Sequence, residues 1–405
     1  MATEVPPSDR EKVVSKLPQS LRQELKIRAA QLGVDIQDAV SGGITAWMGL
    51  ASTLQQIDTS GADSFSTWLP SGQWPDFQES CRERNVSYIQ GLAQSVRVWL
   101  DTNPSPGAHR PEIVRRIVVC NQKGGVGKTS VTAGLGEALA EDPDVLHPFR
   151  PTAAATETRD HPEEAIGAGM RVLLVDFDPQ CHLTDQLGFA PLPMEGDSLS
   201  KHMTGSAKGK LRDVVEIVDD PRFGGRLHLL PGCQDGFLLD LGLSSARARE
   251  AAMERALAPL EGDYDVVIID CPPTLGLAMD AAVHYGRRRD GEGPGQSGVL
   301  VIVQAEDSSG TAYRLLTEQI ESLRSDMGLE LDYLGIVVNL FDARKGYIAT
   351  SSLAEWRAIG DPRVVAVVGD LKEQREAVRV KQPLLAYEPR CEQSYAYRGL
   401  AKELL

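Results

Sequence analysis

Five short apolar runs recur along the last three hundred residues: Ile117-Val118-Val119, Val172–Val175, Val266–Ile269, Val299–Val303 and Leu334–Val338. Each is rich in β-branched residues and too short for a helix, so each reads as a strand covered on both faces. Stretches of helical character separate them; Ser130 to Ala140, rich in Ala and Leu, is the clearest. This alternation predicts an α/β unit, a mostly parallel sheet flanked by helices, with ligands beyond the carboxyl ends of the strands. The first hundred residues follow another rhythm. Glu11 to Leu17 reads as a short strand ending in Leu17-Pro18. Gln19 to Leu32 carries Leu21, Leu25, Ala29 and Leu32 at helical spacing, Gly33-Val34-Asp35 supplies a stop and a start, and Ile36 to Met48 reads as a second amphipathic helix. A shift of 52 positions aligns Leu17-Pro18 with Leu69-Pro70, Leu25 with Phe77, Val34 with Val86, Val40 with Leu92, Ile44 with Val96 and Trp47 with Trp99. Residues 11–101 therefore read as a small α+β domain made of two tandem units.

With 405 residues the chain has room for two or three domains. Residues 1–10 read as a disordered N-terminus, 102–112 (with Pro104, Pro106 and Gly107) as a linker, and 113–405 as the α/β domain. Two insertions interrupt that domain: 143–169, Pro-, Thr- and acid-rich without periodicity, and the polar, Gly-rich 287–298. Both read as flexible surface loops. The net charge of −15 excludes a globally basic DNA binder, so any contact with DNA needs a local patch. Six scattered cysteines without a C-x-x-C pair argue against a zinc or iron–sulfur scaffold and for reduced thiols in cytoplasm. No apolar run is long enough for a membrane span, and the first residues lack the regions of a signal peptide.

The chemistry sits at the ends of the apolar runs. After Ile117-Val118-Val119 comes Cys120-Asn121-Gln122-Lys123-Gly124-Gly125-Val126-Gly127-Lys128-Thr129-Ser130. Glycines between a strand and a helix let backbone N–H groups cradle phosphate oxygens at a helix N-terminus. Gly124, Gly125, Val126, Gly127, Lys128, Thr129 and Ser130 are the candidate nucleotide-binding residues, with Lys128 reaching the phosphates and Thr129 offering a hydroxyl to Mg²⁺. The loop carries a second lysine, Lys123, whose ammonium would repel Lys128 unless phosphate lay between them. Val172–Val175 ends in Asp176-Phe177-Asp178-Pro179-Gln180, two carboxylates at i, i+2 on one face. Val266–Ile269 ends in Asp270, placed to accept hydrogen bonds from magnesium-bound water.

Lys123 to Thr129 matches K-G-G-x-G-K-[ST], and Asp176 to Gln180 matches D-x-D-P-Q; on both, the chain resembles the ParA/MinD-type deviant Walker A P-loop ATPases from about Val114 onward. Later markers are Gln304-Ala305-Glu306, Gln382 to Pro389 and Tyr397 to Leu404. The resemblance implies ATP and Mg²⁺ as cofactors and a nucleotide-sandwich homodimer in which Lys123 reaches the phosphates held by the other subunit. It further implies that Asp178 orients or deprotonates the attacking water, so that Lys123, Lys128 and Asp178 are the catalytic set. Asp176, with Thr129 and Asp270, would serve the metal. Asn339, ending its strand, matches the position from which the family contacts the adenine edge, although a capped strand end explains it equally. One departure concerns DNA. Where the family places arginines for nonspecific DNA, the aligned positions here are Asp370 and Glu373; Lys372, Arg375, Arg379 and Lys381 stand nearby, and a solvated mixed-charge helix is an equal reading.

Strand, Leu-Pro, helix, Gly-Val-polar, helix resembles the ribbon–helix–helix family of Arc and MetJ type repressors, whose paired strands enter the major groove. Two tandem copies would make one chain its own ribbon. Lys12, Val14 and Lys16 of the first strand would face DNA, as would Ser64, Ser66 and Trp68 of the second, while helix starts near Asp35 and Ser87 would approach phosphates. The second strand has no base-reading cation, so its role reads as structural. Together these features lead to the expectation of a cytoplasmic, nucleoid-associated DNA-partition ATPase. Its ATP dimer would bind DNA nonspecifically, a ParB-like centromere-binding partner would stimulate hydrolysis, and its N-terminal domain would bind an operator and repress its own operon. The rival expectation is a nucleotide-switched transcriptional regulator without cargo. A membrane-positioning role is disfavoured, because no amphipathic membrane helix follows the Leu-Ala-Lys-Glu-Leu segment.

Overall fold

A computed structural model describes residues 10–32, 34–50, 54, 56–103, 113–142, 146–147, 165–166, 168–306 and 308–405. The expected disordered N-terminus (except Arg10), the expected linker (except Thr102 and Asn103) and most of the 143–169 insertion lie outside these residues, as does the predicted helix stop at Gly33. The chain divides into two units, Met1–His109 and Arg110–Leu405.

In the first unit, β1 (Arg10–Pro18), α1 (Gln19–Leu32) and α2 (Ile36–Met48) are followed by β2 (Ala62–Pro70), α3 (Gln73–Glu83) and α4 (Tyr88–Thr102). β1 and β2 pair antiparallel over their full length, with Val14 opposite Ser66 at the centre. The offset of 52 that aligns the two sequence units also carries Val14 onto Ser66, so the pseudo-two-fold axis of the repeat passes between these residues. Alternation explains the ribbon's orientation: Val13, Leu17, Phe65, Thr67 and Leu69 are buried on the face toward the helices, and the alternate residues Lys12, Val14, Lys16, Ser64 and Ser66 face outward. Leu25, Phe77, Val40, Leu92, Ile44, Val96, Trp47 and Trp99 share the same core. The axis passes again between α2 and α4, where Gly43 meets its counterpart Ser95; a Cβ on Gly43 would lie 2.5 Å from the Ser95 carbonyl oxygen. Arginines cap across the repeat. Arg84 donates to the carbonyls of Trp47 (2.9 Å) and Met48 (2.7 Å) at the end of α2, and Arg28 to those of Leu100 (3.3 Å) and Asn103 (2.6 Å) at the end of α4.

The second unit holds the strands β3 (Arg115–Cys120), β4 (Leu146–His147), β5 (Ala165–Ile166), β6 (Val172–Asp176), β7 (Glu216–Ile217), β8 (Leu227–Leu230), β9 (Val266–Asp270), β10 (Gly298–Gln304), β11 (Tyr333–Phe341) and β12 (Val364–Gly369). An eight-stranded sheet runs β12-β11-β10-β3-β9-β6-β8-β7, parallel throughout except for β7 against β8; β4 and β5 form a separate antiparallel pair. Its helices are α5 (Lys128–Ala140), α6 (His182–Gln186), α7 (Leu199–Thr204), α8 (Leu239–Ser244), α9 (Ala252–Glu261) and α10 (Leu277–Tyr285), then α11 (Ser308–Met327), α12 (Tyr347–Ala358), α13 (Lys372–Val380), α14 (Leu384–Tyr387) and α15 (Glu392–Leu404). Because both faces are covered, successive residues of one strand feed opposite cores: Val118 and Cys120 one, Ile117 and Val119 the other.

The 287–298 segment departs from its sequence reading. Its composition suggests a flexible loop, but it is fastened by charge pairs. The Arg116 guanidinium, 0% exposed, pairs with Glu292 at 2.7 Å and donates to the backbone carbonyls of Tyr285 and Arg287. Arg287 pairs with Glu254 and Arg289 with Glu261, both at 2.8 Å, while Asp332 accepts from the backbone N–H of Gly295 at 2.8 Å. Composition registers the polar character of such a stretch but not the partners that hold it, which come from β3, α9 and the approach to β11.

Candidate nucleotide site and exposed ribbon

The loop between β3 and α5 is held from two sides. Asn121 is buried: its amide donates to the Ile302 carbonyl at 2.5 Å, and its side-chain oxygen accepts from the Lys123 N–H at 3.0 Å. Gly125 (φ 76°) and Gly127 (φ 82°) take the left-handed backbone that turns the chain into α5. From the other side Asn339 donates to the Val126 carbonyl at 2.9 Å, and a Cβ on Gly127 would lie 2.1 Å from its amide nitrogen. Asn339 lies near the end of β11, two residues before its last, and in this structure its amide braces the loop.

That cavity measures about 730 Å³. Gly124, Gly125, Gly127, Lys128, Thr129, Ser130 and Asp178 line it, joined by Phe237, Leu340 and Val378 from segments that no sequence motif marks. Lys128 begins α5 and is mostly buried, its Nζ 3.3 Å from the Lys123 carbonyl oxygen; burial lowers its pKa, against the opposing pull of Asp270 and Asp178. Lys123 is not among the lining residues. Its ammonium lies 3.1 Å from the Glu306 carboxylate, a partner on the loop after β10.

Strand register brings the acidic ends together, with Asp176 of β6 beside Asp270 of β9. Asp176 is 4% exposed and Asp270 1%. Asp176 Oδ2 accepts from the Thr184 N–H (2.8 Å) and hydroxyl (2.6 Å), and Asp270 Oδ1 from the Thr132 hydroxyl (3.4 Å). Each keeps one buried oxygen, Asp176 Oδ1 and Asp270 Oδ2, without a partner. Burial pushes the Asp176 carboxyl up to about 6, with a smaller push from the nearby Asp178; burial also raises that of Asp270, and the like charge of Asp176 adds to it. Two buried carboxylates with unsatisfied oxygens beside the Thr129 hydroxyl fit a hard divalent cation that keeps several of its waters, as Mg²⁺ does. Among the described residues there is no group of three or more His, Cys, Asp or Glu that would form an all-protein cage. Asp178 is half-buried at the cavity wall, its Oδ1 accepting from the Gln180 N–H at 2.9 Å in a two-residue turn that fixes its direction.

The comparisons agree with this geometry. Residues 117–147 match the CobQ/CobB/MinD/ParA nucleotide binding domain family, and residues 163–327 match an AAA domain family. Among curated relatives, the sporulation initiation inhibitor protein Soj of Bacillus subtilis is 26% identical over 71% of this chain and 97% of its own. The chromosome partitioning protein ParA of Caulobacter vibrioides is 28% identical over 72% and 94%. Over its second unit the chain is similar to the ParA/MinD family of P-loop ATPases. Its α/β fold is also that of the Cyanothece McdA(D38A)–ATP complex, with a TM-score of 0.56 at 17% identity, covering 73% of this chain and 97% of that one. The nucleotide-binding match and the loop it covers make this chain a P-loop ATPase of that kind. The phosphate loop and the buried carboxylates fit ATP with Mg²⁺, which Lys128, Thr129, Asp176 and Asp270 would hold. Mg²⁺, when bound, neutralises phosphate charge and orients phosphate oxygens. The protein's own part would be the loop's N–H groups and the Lys128 ammonium, which the cavity brings to where phosphate oxygens would lie.

Sequence reasoning missed Asn121, Thr132 and Thr184, ordinary polar residues whose roles depend on which strand end they meet. It noted Glu306 as a marker without foreseeing its ion pair with Lys123.

The other anticipated contacts lie on two surfaces. Lys12, Val14 and Lys16 are exposed on the outward face of β1, opposite Trp68, Ser66 and Ser64. On α13, Arg375 lies 3.6 Å from Asp370, and Lys381, just beyond the helix, lies 2.6 Å from Asp185; Arg379 is exposed. Lys372 also lies 3.6 Å from Glu376, so three of the four cations that stand near the family's DNA positions already face carboxylates, as the mixed-charge reading of this helix implies. Among the described residues no helix is long and apolar enough to cross a membrane.

Proposed function

We propose that this ATPase is a DNA-partition switch: ATP closes a sandwich homodimer that binds DNA nonspecifically and lies on the nucleoid. A ParB-like centromere-binding protein then triggers hydrolysis and release. The observation that carries this reading is the division of labour between the two loop lysines. Lys128 lines the cavity of its own chain, whereas Lys123 is not among the lining residues and reaches Glu306, which supports a role for it at a facing subunit's cavity. Among the described residues no arginine lines the cavity, which supports slow hydrolysis until a partner acts. The relatives named for chromosome partitioning support the same reading. The first unit, read as a single-chain ribbon–helix–helix, would bind an operator and repress the protein's own operon.

One observation favours a second reading, a nucleotide-switched transcriptional regulator: the outward face of the β1–β2 ribbon. Plasmid or chromosome retention separates the two. A Lys123→Gln variant should lose retention along with ATP-dependent dimerisation. Unchanged inheritance with dimerisation lost leaves the regulator and sinks the partition role.

A further inference from the structure

Nine residues make up the outward face of the ribbon: Arg10, Lys12, Val14 and Lys16 from β1, and Ala62, Ser64, Ser66, Trp68 and Pro70 from β2; Pro18, in step with them, is buried. None is acidic, in a chain of net charge −15. Lys12, Lys16, Ser64 and Ser66 are exposed, Trp68 is half-exposed, and Val14, at the centre, is 64% exposed. An apolar side chain kept in water at the midpoint of a two-stranded ribbon stabilises nothing in the fold. Arg10 is held by Asp38, which leaves Lys12 and Lys16 as the cations aimed outward.

The pseudo-two-fold exchanges Lys12 with Ser64, Val14 with Ser66, and Lys16 with Trp68. A symmetric ribbon would present identical ends. Here one end presents Lys12 beside Trp68 and the other Lys16 beside Ser64. The backbone keeps the symmetry of a dimer while the reading surface has lost it.

Resting on the DNA-reading role proposed for this unit, we infer that a single chain is a complete reading head for a non-palindromic major-groove site. The major groove admits a two-stranded ribbon, and base edges there are told apart by donors, acceptors and the thymine methyl. Each lysine selects a guanine, one at each end of the ribbon. Val14 and Trp68 lie where thymine methyl groups bury apolar surface, so thymines belong at the centre and at the Lys12 end. Ser64 tolerates any base at the Lys16 end. The second strand, which sequence alone reduces to a scaffold, therefore sets the polarity of the site.

Selection from random duplexes by the full-length protein without nucleotide, followed by mass measurement of the complex, tests this. The expected product is one asymmetric sequence, bound by one chain per site. A Ser64→Lys/Ser66→Val/Trp68→Lys variant, which restores the symmetry of the ribbon, should select a palindrome, and Trp68→Ser should lose roughly tenfold or more for the thymine at its end. If the wild type selects a palindrome held by two chains, the asymmetric reading is overturned while DNA reading by the ribbon stands. If it selects no sequence, and Lys12→Ala/Lys16→Ala leaves binding to DNA unchanged, the ribbon is not a DNA-reading surface and the underlying reading falls with it.

Discussion

Lys123 and Lys128 are five residues apart, yet one is mostly buried against the cavity wall and the other reaches outward to Glu306. Replacing them should therefore fail differently. Lys128→Ala removes the ammonium from the cavity and should lower ATP hydrolysis about 100-fold or more. Lys123→Gln should keep nucleotide affinity within a few-fold while abolishing ATP-dependent dimerisation in sedimentation; dimers that persist would contradict its bridging role. A second residue away from the cavity gives a pH prediction. Glu137, inside α5, accepts from the Leu385 N–H at 2.8 Å, but its other oxygen has no partner, and burial pushes its carboxyl up to about 7. A raised pKa means the native state holds the proton more tightly than the unfolded chain. Its stabilising contribution is present below about 4.5 and is lost as pH rises through about 7. Glu137→Gln should then be more stable than the wild type at pH 8, by roughly 1–3 kcal/mol. The advantage should shrink on acidification in thermal unfolding. A pH-independent difference would refute the assignment.

At the scale of elements, the placement of the site follows from strand order. β3, β9 and β6 are neighbours in the middle of the sheet, so the phosphate loop, Asp270 and Asp176 meet at the carboxyl ends of these strands although they are far apart in sequence. The strand-end motifs were readable because an apolar run that stops at a carboxylate or a glycine loop has a local signature. The braces were not. Asn121 needs the Ile302 carbonyl and Asn339 needs the loop's own carbonyls, and both contacts depend on β3, β10 and β11 lying side by side. The same holds for the 287–298 segment, whose polarity resembles that of a loose loop until Arg116 is seen beneath it. Removing one member of that buried pair leaves the other charge without a counterion. Glu292→Ala should cost about 3–5 kcal/mol. Arg116→Met/Glu292→Leu should recover much of it in denaturant unfolding, and failure to recover would mean that the arginine's backbone contacts dominate.

For the whole molecule, a net charge of −15 opposes DNA at long range, so the DNA binding proposed above would have to come from the ribbon and from surfaces assembled by ATP. Affinity for random duplex should rise at least about tenfold when ATP is added, and fall steeply between about 50 and 200 mM salt. Lys12→Ala/Lys16→Ala should leave this ATP-dependent component intact, as measured by fluorescence anisotropy. If the double variant removes it, the ribbon and not the ATP dimer is the nonspecific surface.

The sequence by itself determined the α/β class, the phosphate loop, the carboxylates at the strand ends and the tandem pattern of the first unit. Each of these is local: periodicity, a glycine turn or a charge that ends an apolar run. Only the tertiary structure decided that Lys123 rests on Glu306, that Asn339 braces the loop, and that β1 and β2 pair with Val14 facing Ser66. Those facts depend on which strands become neighbours and in what register. That choice is made by the burial of whole faces, which no short stretch of sequence contains.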